Sequence, residues 1–200
     1  MPSPVAFRRM LSACTALSAL VLTSGPSLGQ TSRALERYTA MTVNMGDIGR
    51  SGAGTVQIVV NRWSTEGERS RLLAVLLDKG PEQLLDALHH TPAVGYIRTP
   101  NSLAYDLHYA RKTPGEDGGD RVVLATDRRI EFWEVMRQSR TLDYPFLVIE
   151  IHFDRDGVGE GKLSLATKIV GDKKTNQIVL ENYGTQPVML TSVRRETGGR

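Results

Sequence analysis

The stretch LVIEIHFDRDGVGEGKLSLATKI, Leu147–Ile169, decides how this chain is built. Leu147, Ile149, Ile151 and Phe153 recur at every second position, the period of a strand with one buried face. Leu163 to Ile169 reads as a second strand. Between them, Asp154, Asp156 and Gly157 resemble the opening of a calcium loop. Such a loop takes oxygen ligands at positions one, three, five, seven and nine and a glutamate at twelve. Here Val158 falls at position five and Leu165 at twelve, and Gly157 comes too early. The segment is therefore read as a tight turn whose glycines supply positive backbone dihedrals. Calcium at Asp154 and Asp156 is the lesser reading, and no other cofactor is expected.

Working outward, the same period recurs on both sides. Met41, Val43 and Met45 alternate, DIGRSGAG (residues 47–54) reads as a glycine-rich loop, and Val56, Ile58 and Val60 alternate again, which makes a hairpin. Further strands are expected at Val94–Thr99, Leu103–Tyr109, Val122–Thr126, Ile130–Met136, Ile178–Tyr183 and Val188–Val193. Only at about 65–90 does the period change. Thr65–Glu68 has the form of a capping box, Leu72, Leu73, Leu76 and Leu77 form a helical stripe, and Gly80 is a stop. Pro81 suits the first turn of a second helix carrying Leu84, Leu85 and Leu88. The fold class is therefore α+β, predominantly β: an antiparallel sheet of about nine strands curled into a barrel or sandwich, with one inserted helical hairpin.

The N-terminus carries a different signal. Arg8 and Arg9 precede the apolar run Leu11–Ser24, and Ser27 and Gly29 precede Gln30 as small residues of a cleavage site. This is the pattern of a secretory signal peptide over 1–29, leaving 30–200 as a single mature domain. The run is too short to span a bilayer, which needs about 20 apolar residues. Cys14 sits in Leu11-Ser12-Ala13-Cys14, but a lipoprotein's apolar run precedes its cysteine and here it follows. Arg8-Arg9-Met10-Leu11 matches a twin-arginine signal poorly at Phe7 and Ser12, so ordinary secretion is the better reading. The chain holds 25 basic and 22 acidic residues; without Arg8 and Arg9 the balance is 23 to 22. A near-neutral mature chain gives no footprint for nucleic acid, which needs clustered positive charge. Cys14, the only cysteine, leaves with the signal, so the exported chain is held by its core and not by a disulfide.

Candidate chemistry is sparse. Glu150 and His152 share a strand face with Asp154 just beyond, a set that could bind a metal or orient an acid–base pair. Same-face neighbours on one strand stand about 7 Å apart, too far for a direct hydrogen bond without a bridge. A polar outer face is the plainer reading. His89-His90 closes the second helix, where a histidine complements the dipole, and His108 lies on a face that reads as solvated. Trp63 and Trp133 read as packing residues, with ligand stacking as the lesser alternative. No Gly-x-Ser-x-Gly elbow, HExxH, P-loop or dinucleotide fingerprint occurs.

The stretches VVNRWSTEGERSRLLAVLLDKGPEQLLDALHHTPAVGYIRT and GVGEGKLSLATKIVGDKKTNQIVLENYGTQPVMLTSVR resemble a family of exported bacterial proteins of unknown function. The resemblance implies a bacterial envelope location, periplasmic or extracellular, and carries over no activity. The leading expectation is a noncatalytic envelope protein binding a small apolar ligand or another envelope protein, with no nucleic acid and no transmembrane segment after signal removal. In a closed barrel, Tyr105, Leu107, Tyr109 and Leu147, Ile149, Ile151 would line the interior, and Tyr105, Tyr109 and Trp133 are the candidate ligand contacts. Two alternatives stand beside it. One is a small metal-assisted hydrolase centred on Glu150, His152 and Asp154. The other is a structural or stress-related accessory protein.

Overall fold

The computed structural model describes residues 35–43, 53–100, 103–115, 118–128, 143–172, 177–183 and 187–197. The signal at 1–29, the strand expected at Ile130–Met136 and Trp133 lie outside them. All ten described strands belong to one antiparallel sheet: β1 (Glu36–Val43), β2 (Ala53–Val60), β3 (Gly95–Arg98), β4 (Tyr105–Leu107), β5 (Tyr109–Pro114), β6 (Asp120–Asp127), β7 (Phe146–Phe153), β8 (Val158–Asp172), β9 (Gln177–Asn182) and β10 (Val188–Thr197). Nine of them run in the order β4-β3-β2-β1-β10-β8-β7-β6-β5, and β9 leaves this path to pair with β8 alone.

The two ends of that order are one residue apart in the chain. Leu107 ends β4 and Tyr109 begins β5, so His108 joins the first strand of the path to the last. The His108 amide donates to the Ala125 carbonyl at 3.2 Å, the Leu107 carbonyl accepts from Val94, and the Thr126 hydroxyl donates to the Asp106 carbonyl at 2.7 Å. The sheet is thus a nearly closed barrel, which leaves no long open edge along the path.

Its interior is filled. Ile149, Ile151 and Phe153 of β7 meet Tyr38, Ile58, Leu107, Leu124 and Leu190 from the surrounding strands in one buried cluster, with Leu147 packed against it. The Tyr38 and Phe153 rings lie 5.5 Å apart. One end of the barrel is closed by charge. Glu36, Lys112, Asp120 and Arg195 come from β1, β5, β6 and β10. Lys112 reaches Glu36 at 2.9 Å and Asp120 at 3.4 Å, and Arg195 reaches Asp120 at 2.7 Å. The Tyr38 hydroxyl donates to Glu36, and the Arg195 guanidinium stacks 4.4 Å over the Phe153 ring. Pairing offsets the desolvation of these inward charges.

The hairpin at Asp154–Gly157 has the expected form. Gly157 takes φ +79, the Asp154 amide donates to the Val158 carbonyl at 3.0 Å, and the Asp154 carboxylate accepts from the Val158 amide at 2.8 Å. Two face assignments are corrected. On β1 the buried residues are Tyr38 and Ala40, whereas Met41 and Val43 are exposed on the outer face. Periodicity shows that faces alternate; which face is buried depends on the partners. Between β4 and β5 the inward residues are Leu107 and Ala110, three apart, because the chain slips one residue at His108. Tyr109 therefore turns outward, and Tyr105, on the inner side, stands exposed at the barrel mouth.

The helices are α1 (Glu66–Lys79) and α2 (Pro81–His89). The Thr65 hydroxyl accepts from the Glu68 amide at 3.2 Å, and the Glu68 carboxylate accepts from the Thr65 amide at 2.7 Å, so the capping box is complete. Gly80, at φ +93, separates the two helices. Leu72, Leu76, Leu84 and Leu88 pack on Ala125, Phe146 and Val148, the outer face of β6 and β7. The hairpin covers the outside of the barrel wall.

Candidate functional site

Where the helical hairpin leaves the wall, a groove of about 490 Å³ opens. Its floor is the outer face of β5, β6 and β7, with Tyr109, Val123, Ala125 and Val148. Period two puts these side chains outside while their neighbours Ala110, Val122, Leu124 and Ile149 fill the core. One wall is the leucine face of α1 and α2. The other is the ribbon formed where β8 outruns the barrel and pairs with β9: Ile169 lies opposite Leu180, and Gly171 opposite Ile178. Ile178 and Leu180 are 54% and 46% exposed, an apolar wall facing open space.

The groove is polar at one end. Down the paired strands, Tyr109 faces Ala125, Arg111 faces Val123 and Thr113 faces Arg121. The floor therefore passes from apolar to cationic over three register positions, and Arg69 of α1 also lines it. A second hollow of about 440 Å³, bounded by Trp63, Ser64, Glu66 and Lys112, shares Arg69, Tyr109 and Arg111 with the first. Glu66 lies 2.7 Å from Arg69 but 3.9 Å from Arg111, too long for a hydrogen bond. Arg121 is held by Glu150 at 2.6 Å. Burial pushes the Tyr109 hydroxyl up from its ordinary range, so it stays a neutral donor at physiological pH.

Glu150 and His152 occupy a different place, lower on the outer face of β7. Here the strand-spacing estimate is corrected: the His152 ring and the Glu150 carboxylate meet directly at 3.1 Å, because long side chains lean across a separation their backbones do not close. Arg121 bonds the same Glu150 oxygen. Burial alone would raise the Glu150 carboxyl, but Arg121 and then His152 outweigh it and hold it below the usual carboxylate range. Asp154, committed to its turn, does not join them. A hollow of about 200 Å³ beside the pair is lined by Glu160, Gly161, Lys162 and Met189. Among the described residues, no group of three or more histidine, cysteine or carboxylate side chains stands close enough to share a metal ion.

Of the residues singled out in the sequence, Tyr109 enters the groove and Tyr105 does not. Trp63 packs on the core and reaches the polar hollow. His108 is not on a solvated face: its ring lies 2.6 Å from the Thr91 carbonyl, at the joint that closes the barrel. Arg111 and Arg121 escaped sequence reading because an arginine on an alternating strand is indistinguishable from an ordinary solvent-facing one. No family model, no curated protein and no solved structure matches the chain.

Proposed function

We propose that this chain is an exported, noncatalytic bacterial envelope protein that binds a small apolar ligand in the groove between the helical hairpin, the barrel wall and the β8–β9 ribbon. One observation carries the reading: an apolar trough of about 490 Å³ remains beside a barrel whose own interior is filled. Ligand sites are concave and mostly apolar, run to about 300–1,000 Å³ and hold a few placed polar groups. No described helix is long and apolar enough to cross a membrane. Against the hydrolase alternative, a metal-assisted site needs three protein ligands around an open position, and Glu150, His152 and Asp154 supply two adjacent groups and a turn residue.

The test uses a neutral fluorescent probe, N-phenyl-1-naphthylamine, with the mature protein. Its emission rises on binding, and Val123→Trp, which fills the groove floor, or Leu180→Glu, on the exposed wall, abolishes the rise while thermal melting stays cooperative. Binding unchanged in both variants places the ligand elsewhere and overturns the reading. Export is checked by mass spectrometry of the mature protein, whose first residue is expected to be Gln30.

A further inference from the structure

We infer that the groove takes a single-chain amphiphile with an anionic head, a long-chain carboxylate, its tail along the leucines and its head on Arg111 and Arg121. The inference rests on the apolar-ligand reading and adds the charge of the ligand. Three guanidinium groups, Arg69, Arg111 and Arg121, line the groove, and among the described residues no acidic side chain does. Glu66 and Glu150, the carboxylates paired with Arg69 and Arg121, sit outside the lining. Arg111 shares Glu66 with Arg69 and stands 3.9 Å from it, the loosest of the three pairings.

The register places two of these guanidinium groups. Arg111 lies opposite Val123, and Arg121 follows two residues before Val123 on the same face. The two arginines are therefore diagonal neighbours, with backbones roughly 7–8 Å apart, close enough for one carboxylate to lie between their long side chains. Each guanidinium carries five N–H donors, so an ion pair to glutamate leaves donors for a second partner. Thr113 lies beside Arg121, and Tyr109 supplies a neutral hydroxyl where the two hollows meet. Above them the lining turns wholly apolar, through Leu72, Leu76, Val148 and Ile169. An uncharged ligand would use the trough and leave the arginines idle; a cationic one would be repelled.

Calorimetric titration with dodecanoate, dodecan-1-ol and dodecyltrimethylammonium tests this on the mature protein. Dodecanoate should bind at least tenfold tighter than the alcohol, and the ammonium weakest. Lengthening the carboxylate should tighten binding about fourfold per methylene until the trough is full. The double variant Arg111→Gln, Arg121→Gln should bring dodecanoate down to the affinity of the alcohol while thermal melting stays cooperative. Equal affinity for carboxylate and alcohol in the wild type overturns the anionic-head inference and leaves the apolar reading standing. Binding of none of the three overturns both. Association with phosphatidylglycerol vesicles that dodecanoate does not displace would put the anion at a membrane surface and also overturn it.

Discussion

Glu68 does two jobs at the start of α1, and its protonation exposes both. Its carboxylate accepts from Arg62 at 2.8 and 2.9 Å and closes the capping box with Thr65. The Arg62 hydrogen bonds, then the Thr65 amide, hold it down at about 2. A depressed carboxyl stabilises the fold above its unfolded value of about 4.5 and loses that contribution as pH falls toward 2. Glu68→Gln should therefore unfold in less urea than wild type at pH 6, and the difference should shrink steadily as pH falls from about 4.5 toward 2. Gly161 makes a steric counterpart. A Cβ there would lie 2.3 Å from the Glu150 carbonyl oxygen, a backbone atom that cannot step aside. Gly161→Ala should cost about 1–3 kcal/mol and lower Tm by several degrees in a calorimetric scan. His152→Ala, by contrast, removes an exposed side chain, and a stability change within about 0.5 kcal/mol with unaltered probe binding is expected.

At the scale of elements, the helical hairpin and the barrel have separate cores. Leu72, Leu76, Leu84 and Leu88 meet the outer wall, whereas the buried inward rows meet each other inside it. Leu76 is 4% exposed, so Leu76→Ala should cost about 2–5 kcal/mol. The loss should fall first on the hairpin: amide exchange should speed up across α1 and α2 while Ile149 and Ile151 in β7 keep their protection. The β8–β9 ribbon is the other element outside the barrel path. A methyl group in place of the Gly171 hydrogen would lie 2.9 Å from the Leu77 side chain and 3.2 Å from that of Leu76. The glycine lets the ribbon lean against α1, and that lean shapes the groove.

For the whole molecule, closure is the deciding event. β4 and β5 are neighbours in sequence yet stand at opposite ends of the strand order, so the barrel closes only when every intervening strand is in place. The charged end cap is made at the same step, since it joins β1 and β10 to β5 and β6. Burial would raise the Asp120 carboxyl, but Arg195 and Lys112 outweigh it and hold it below its usual range. Asp120→Asn should cost about 2 kcal/mol, the worth of a charge-assisted hydrogen bond. That loss should appear at pH 7 and vanish in strong acid, where the native carboxyl is protonated as well. Urea titrations at the two pH values check it.

Local rules in the sequence sufficed for most of the elements, though not for β5, which alternation ran together with β4 as far as Tyr109. The alternation in β7, the capping box at Thr65, the leucine stripes of α1 and α2 and the glycine turn after Asp154 are written in adjacent residues, and each formed as its neighbours dictate. Tertiary structure alone decided which side of β1 faces inward, the one-residue slip at His108, and the direct meeting of Glu150 with His152. It alone assembled the groove. Arg69, Arg111, Arg121 and Leu180 come from four separate elements, and a row of alternating residues states that two faces exist without stating what will cover either. Faces are assigned by register and by the partner that arrives, and both are properties of the closed barrel.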